Sequence, residues 1–174
     1  LNDEQVESGS SALVRTSDGN QLSIVSNDWN IVQNSEAFEF FNEYVAAGDM
    51  NMEVAGSLQG GKIVWALAKI KESFELFGGD LVNSYMLFTN YHKFGYATDI
   101  RSTLTRVVCN NTITMALREE SKTKAKFSHR RVFNAAEAKE KVGIATTNLQ
   151  KYKEVAEFLG SKRYTKEHVT DYFK

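Results

Sequence analysis

Apolar and polar positions recur along the chain with two periods, which assigns most of it to short strands and a few helices. Leu13-Val14-Arg15 and Gln21-Leu22-Ser23-Ile24-Val25 flank Asp18-Gly19-Asn20, a turn sequence suited to positive φ, and together predict a hairpin. Asn34-Ser35 precedes Glu36, with Phe38, Phe41, Tyr44 and Val45 at helical spacing and Gly48 behind them. That pattern predicts an N-capped amphipathic helix with a buried aromatic face. From residue 52 the period shortens. Residues 52–58 and 63–70 surround Gln59-Gly60-Gly61-Lys62 and predict a second hairpin, whose later run is β-branched and aromatic enough for a central strand. Gly78-Gly79-Asp80 marks another turn, and residues 81–90 and 96–106 are two further strands joined by Tyr91-His92-Lys93-Phe94-Gly95.

The C-terminal part is helical in pattern. Val108, Ile113, Met115, Ala116 and Leu117 predict a helix over 108–118 that begins near Asn110 or Asn111. Residues 122–131 contain alternating bases and read as a loop or an edge strand. Two helices follow over 133–142 and 147–159, with Gly143 and Gly160 where a glycine stops a helix. Thr165 with Glu167 and His168 starts a last one. The expected fold is therefore α+β: an antiparallel sheet built from hairpins, packed against helices, with a helical C-terminal part. Residues 1–12 read as an exposed, flexible leading segment, 13–145 as the core domain and 146–174 as a helical extension. The chain begins with Leu1 and stops within a helical pattern, so it reads as a piece of a longer protein.

Composition narrows the function classes. Of 174 residues, 42% are hydrophobic and 25% charged, which excludes the signature of disorder. The longest apolar runs, such as 63–68, are far short of the roughly 20 residues of a bilayer span, and no leader pattern opens the chain. No membrane partner is expected. Cys109 is the single cysteine, which leaves no intramolecular disulfide or multi-cysteine metal site and predicts a reducing, cytoplasmic setting. The net charge of −1 hides a division along the chain. Residues 1–100 carry 5 basic and 14 acidic residues, a net of −9, and residues 101–174 carry 16 and 8, a net of +8. The segment 101–131 alone is +6, with eight bases against Glu119 and Glu120. A strip that basic draws polyanions if it folds onto one face. It can equally pair with the acidic half, within the fold or between subunits.

No catalytic constellation emerges. Cys109 with His92 or His129 is the available nucleophile pair, but Val107 and Val108 beside it favour a small buried filler. His92, His129 and His168 lack the paired spacing of zinc ligands, and neither Gly60-Gly61-Lys62 nor Gly78-Gly79-Asp80 is a phosphate loop. The carboxylates Glu119-Glu120 and Glu36 with Glu39 lie on predicted exposed helix faces. No cofactor or metal is expected. What stands out is basic residues with aromatic neighbours, the combination that holds single-stranded nucleic acid by its backbone and its base faces. The candidate phosphate contacts are Arg101, Arg106, Lys122, Lys124, Lys126, Arg130 and Arg131. Lys93, Tyr91 and Phe94, at the hairpin tip with Tyr96, are the candidates beside them for base stacking.

Three segments stand in a recognisable order: Asn34 in Ile31-Val32-Gln33-Asn34; Ala55-Gly56-Ser57-Leu58-Gln59-Gly60-Gly61-Lys62-Ile63-Val64-Trp65; and Thr89-Asn90-Tyr91-His92 followed by Arg106-Val107-Val108-Cys109-Asn110-Asn111-Thr112. Over about residues 22–145 the chain resembles the phage- and plasmid-related domain-of-unknown-function family numbered 932. It departs from that pattern at Lys93-Phe94-Gly95, where an Asp-Gly pair is usual after the histidine, and at Ser128-His129, where an Arg-His pair is usual. The resemblance implies a mobile-element setting and no settled activity. The order of hairpins and helix resembles more distantly the single-strand-annealing recombinases of phages, which assemble into rings. The leading expectation is thus a single-stranded DNA-binding protein of a phage or plasmid, working as a homo-oligomer in the host cytoplasm and promoting annealing. The rival is a non-catalytic interaction protein of a mobile element, and a third class is a nuclease or thiol-dependent enzyme.

Overall fold

The Asp18-Gly19-Asn20 turn folds as its residues require: β1 (Ser10–Val14) pairs antiparallel with β2 (Gln21–Ser26), and Gly19 takes a φ of 71°. The computed structural model describes residues 8–71, 74–76, 80–118, 124–162 and 170–171. After α1 (Asn34–Ala46), β3 (Met50–Leu58) and β4 (Ile63–Ile70) form the second hairpin around a 3-10 turn at Gln59–Gly61. The short strands β5 (Phe74–Leu76) and β6 (Asp80–Val82) pair with each other. β7 (Tyr85–Tyr91), β8 (Thr98–Thr103), α2 (Asn110–Arg118), β9 (Lys124–Phe127) and α3 (Ala135–Ser161) complete the chain. The main sheet is antiparallel throughout, in the order β3-β4-β7-β8-β9. This is the expected α+β class, and the segment left between loop and edge strand contributes β9, an edge strand.

Both faces of the sheet are covered, which is why β7 and β8 are buried along their whole lengths. On one face Ala68, Met86, Phe88, Ile100 and Phe127 meet Phe41 of α1 and Ala138 of α3. Phe38 and Phe41 approach Phe88 edge-on at 5.6 and 5.7 Å, the arrangement that ring quadrupoles favour. On the other face Trp65, Leu67, Tyr85 and Leu87 pack against Val107 and against Ile113 and Ala116 of α2. The β1–β2 hairpin docks on the β3–β4 turn, where Arg15 donates to the Gly60 carbonyl at 2.9 Å. A Cβ on Gly61, which holds a φ of 94°, would lie 2.5 Å from the Arg15 guanidinium, so both its backbone and its neighbour call for glycine.

Three local expectations change. The helices predicted over 133–142 and 147–159 are one helix, α3, capped by Asn134 Oδ1, which accepts from the amides of Ala136 and Glu137. Gly143 lies inside it without the positive φ of a terminating glycine, and Gly160 lies one residue before its end. The boundary expected at 145/146 therefore falls within α3, and the leading segment 1–12 already enters β1 at Ser10. The N-cap of α1 is Gln33, not Asn34: the Gln33 amide donates to the Glu36 carboxylate at 3.3 Å, and Asn34 points its amide elsewhere. Residues 1–7, the Gly78-Gly79 turn, Glu119-Glu120, Lys122 and the Thr165–His168 helix start lie outside the described residues.

Candidate functional site

The chain leaves β9 and enters a pocket of about 270 Å³, lined by Trp29, Phe94, Tyr96, His129 and Arg130 with Ser26 and Ser128. Its aromatic walls come from three separate segments. Trp29 follows β2, half-buried, and stacks on the His129 ring at 4.2 Å and 11°. Phe94 and Tyr96 come from the β7–β8 connection, and Phe94 is 63% exposed. The Phe94 amide donates to Ser23 Oγ at 3.2 Å, which ties the connection to β2, and its ring lies 6.5 Å from Trp29. His129 is held by mutual bonds with Asn30: its Nδ1 lies 3.0 Å from the Asn30 carbonyl, and the Asn30 amide donates to the His129 carbonyl at 2.7 Å. Its Nε2 is buried without a partner, and burial holds the imidazole below the ordinary histidine value. His129 is therefore a neutral wall at neutral pH, and the pocket's positive charge comes from Arg130 at the rim.

The basic residues singled out in the sequence separate into three groups. Lys124 and Lys126 are exposed on β9, on the face opposite Ala125 and Phe127; alternate residues on a strand place them about 6.6 Å apart. They lie on the chain that runs directly into Ser128, His129 and Arg130 of the pocket. Lysines on an edge strand also discourage sheet-to-sheet association. Lys93 sits over Tyr96, its Nζ 5.0 Å from the ring centre. These four bases, Lys93, Lys124, Lys126 and Arg130, with Phe94, form one end and one edge of the sheet.

The second group is engaged inside the molecule. Arg101 is no phosphate contact: it is 4% exposed, its Nε and Nη2 donate to the two Asp99 oxygens at 2.5 and 2.7 Å, and its Nη1 donates to the carbonyls of Ala116 and Leu117. It closes the C-terminal turn of α2. Tyr91 offers no open face either, because it is buried and Tyr96 stacks on it at 4.9 Å. Burial first, then the charge of Asp99, pushes its hydroxyl up to about 12. The exposed ring at this position is Tyr96. Arg106 is exposed but pairs with Glu53 of β3 at 3.2 Å, at the far edge of the sheet, four strand spacings or roughly 19 Å from β9. Arg131 pairs with Glu137 in the first turn of α3 at 3.1 Å. Lys122, the third group, falls outside the described residues. The strip of +6 thus does not lie along one line.

Cys109 also differs from expectation, being exposed and not a buried filler. Only Val107 of the Val-Val pair faces the core. The next turn starts α2, with Thr112 Oγ1 accepting from the amides of Val108 and Cys109 and donating to the Cys109 carbonyl. Hydrogen bonds from the backbone and hydroxyl of Thr112 and the backbone of Asn111 hold the thiol below its ordinary value. Alkylation of Cys109 by iodoacetamide in the folded protein is expected to reach half its maximal rate below the pH of about 8.5 typical of a free thiol, and Thr112→Val should move that midpoint up. A midpoint at or above the free-thiol value would refute this. No described residue places His92 or His129 among the hydrogen-bonding partners of Cys109, whose side-chain contact is Thr112 at 3.5 Å. Among the described residues there is no group of three or more His, Cys, Asp or Glu placed to hold a metal, and no helix long and apolar enough to cross a membrane.

The family described as Domain of unknown function (DUF932) matches residues 21–174. The chain belongs to this family. The match takes in everything from β2 onward, so the aromatic pocket and the lysine edge are both inside the DUF932 domain. No curated protein and no solved structure matches the chain. Trp29 is a pocket residue outside the candidates that charge and aromatic patterning single out. Its signal was a lone tryptophan in the polar run Ser26-Asn27-Asp28-Trp29-Asn30 just after a strand, where a large aromatic has little reason to sit unless it packs or binds.

Proposed function

We propose that this chain binds single-stranded DNA, with the backbone along Lys124, Lys126 and Arg130 and a base against Trp29, Phe94 and Tyr96. The observation that carries the reading is the junction of the lysine edge with the aromatic pocket: the two features needed for sequence-tolerant single-strand binding, charge along a track and ring faces, meet where β9 runs into Ser128, His129 and Arg130 of a pocket whose other walls are Trp29, Phe94 and Tyr96. A duplex hides its base faces and cannot use the pocket. The proposal includes a homo-oligomer that promotes annealing for a phage or plasmid in the host cytoplasm, in which the acidic N-terminal half of one copy meets the basic half of the next.

The test is a titration of fluorescent single-stranded and duplex oligonucleotides at several salt concentrations, with the mass in solution recorded. For Lys124→Ala with Lys126→Ala, affinity for every single-stranded sequence is expected to fall and the slope of log K against log salt to flatten by about 1.4, two phosphate contacts at about 0.7 each. Unchanged affinity and slope would overturn the assignment. The rival reading, an interaction protein whose basic strip pairs with an acidic partner or with its own N-terminal half, is favoured by one observation: Arg101 and Arg106 already pair with Asp99 and Glu53. It predicts no oligonucleotide binding at low salt.

A further inference from the structure

A second cleft, of about 430 Å³, lies between the β1–β2 hairpin and the end of the main sheet, and Asn34 and His92 form part of its wall. His92 is 8% exposed, and the hydrogen bonds around it fix where its ring carries a proton. The Val32 carbonyl can only accept, so the Asn90 atom 2.8 Å from it is the amide nitrogen. The Asn90 oxygen correspondingly accepts from the Thr98 hydroxyl at 3.0 Å. The second N–H of Asn90 goes to Asn34 at 3.0 Å, which must present its oxygen. That same oxygen lies 3.0 Å from His92 Nε2, and since it has no proton to give, Nε2 carries the hydrogen. In the neutral ring Nδ1 is then a bare lone pair. No described group bonds Nδ1, it is not among the sealed, unpartnered atoms of the interior, and His92 is part of the cleft wall.

The rest of the lining decides what that lone pair can receive. Leu13, Leu22, Ile31 and Val64 supply apolar walls, and Thr16, Gln33 and Ser57 supply neutral polar groups. Arg15, the charged residue of the lining, is clamped by Asp18 through two nitrogens and donates to the Gly60 carbonyl. The cleft therefore holds no uncompensated cation for a phosphate or carboxylate. We propose that it binds a small uncharged molecule with an apolar body and one N–H or O–H group, which donates to His92 Nδ1. The site shares no lining residue with the aromatic pocket and stands or falls apart from the nucleic-acid reading. The sequence offers the same chemistry in three places, residues 32–34, 90–92 and 98, that only the fold brings together.

The experiment is nitrogen-15 NMR of the His92 ring at about pH 8, above the ordinary histidine value, while the protein is titrated with indole and separately with N-methylindole, which has the same apolar body and no donor. The free protein is expected to show a protonated Nε2 and an unprotonated Nδ1. Indole is expected to shift Nδ1 and to bind roughly three- to tenfold more tightly than N-methylindole. His92→Phe should bind the two alike, and Asn34→Ala, which releases the ring from its fixed tautomer, should narrow the preference. A protonated Nδ1 in the free protein, equal affinities, no indole response at His92, or a preference that survives His92→Phe would overturn the proposal.

Discussion

Arg101→Ala is expected to destabilise the fold by about 3–5 kcal/mol, the cost of stranding one member of a buried ion pair. Asp99 is 2% exposed and loses both of its guanidinium bonds, while the carbonyls of Ala116 and Leu117 at the end of α2 lose their donor. Urea unfolding reads the change as a fall in midpoint at constant slope. Removing both charges with Arg101→Met and Asp99→Leu should restore most of the loss, since the desolvation cost goes with the pair. A single Arg101→Ala variant within about 1 kcal/mol of the parent would show that the pair is not structurally required. The same variant separates structure from binding, because the folded fraction should keep the parent's oligonucleotide affinity.

The pairing of Arg101 with Asp99 shows why charge was legible in the sequence while its use was not. Two charged residues at i and i+2 share one face of a strand, and here that strand is buried on both faces. The basic count was correct, but solvation depends on neighbouring strands that no local pattern specifies. The hairpins were legible because turn chemistry is local: Gly19, Gly60 and Gly61 hold positive φ where the sequence called for it. Helix ends were harder. Asn34 reads as a cap by residue type, yet its amide bonds to Asn90 and His92, more than fifty residues away, and Gln33 caps instead. Gly143 reads as a stop, but a glycine ends a helix only when it adopts positive φ, and α3 continues through it. The candidate site failed to show itself for the same reason: Trp29 meets a histidine one hundred residues later, a contact made by the fold and not by spacing.

Trp29→Ala is expected to weaken single-stranded DNA binding by about 1–3 kcal/mol, roughly five- to 150-fold, the contribution of one stacked base. The ring is half-buried, with one face taken by His129 at 4.2 Å, and it lines the pocket together with His129, Phe94 and Tyr96. Trp29→Phe keeps an aromatic face and should recover much of the affinity, which a purely structural role would not require of a smaller ring. Fluorescence adds an independent readout. The protein's other tryptophan, Trp65, is buried under α2, so quenching on oligonucleotide addition should come from Trp29 and disappear in Trp29→Ala. The salt dependence distinguishes this loss from that of the lysine edge. Stacking releases no counterions, so Trp29→Ala should shift log K uniformly at every salt concentration, whereas the Lys124→Ala, Lys126→Ala variant changes the slope. If Trp29→Ala flattened the slope, the residue would be acting on the position of Arg130 and the lysine track, and the pocket would not be a base site. If affinity, slope and quenching all stayed as in the parent, the aromatic pocket would have no part in DNA binding.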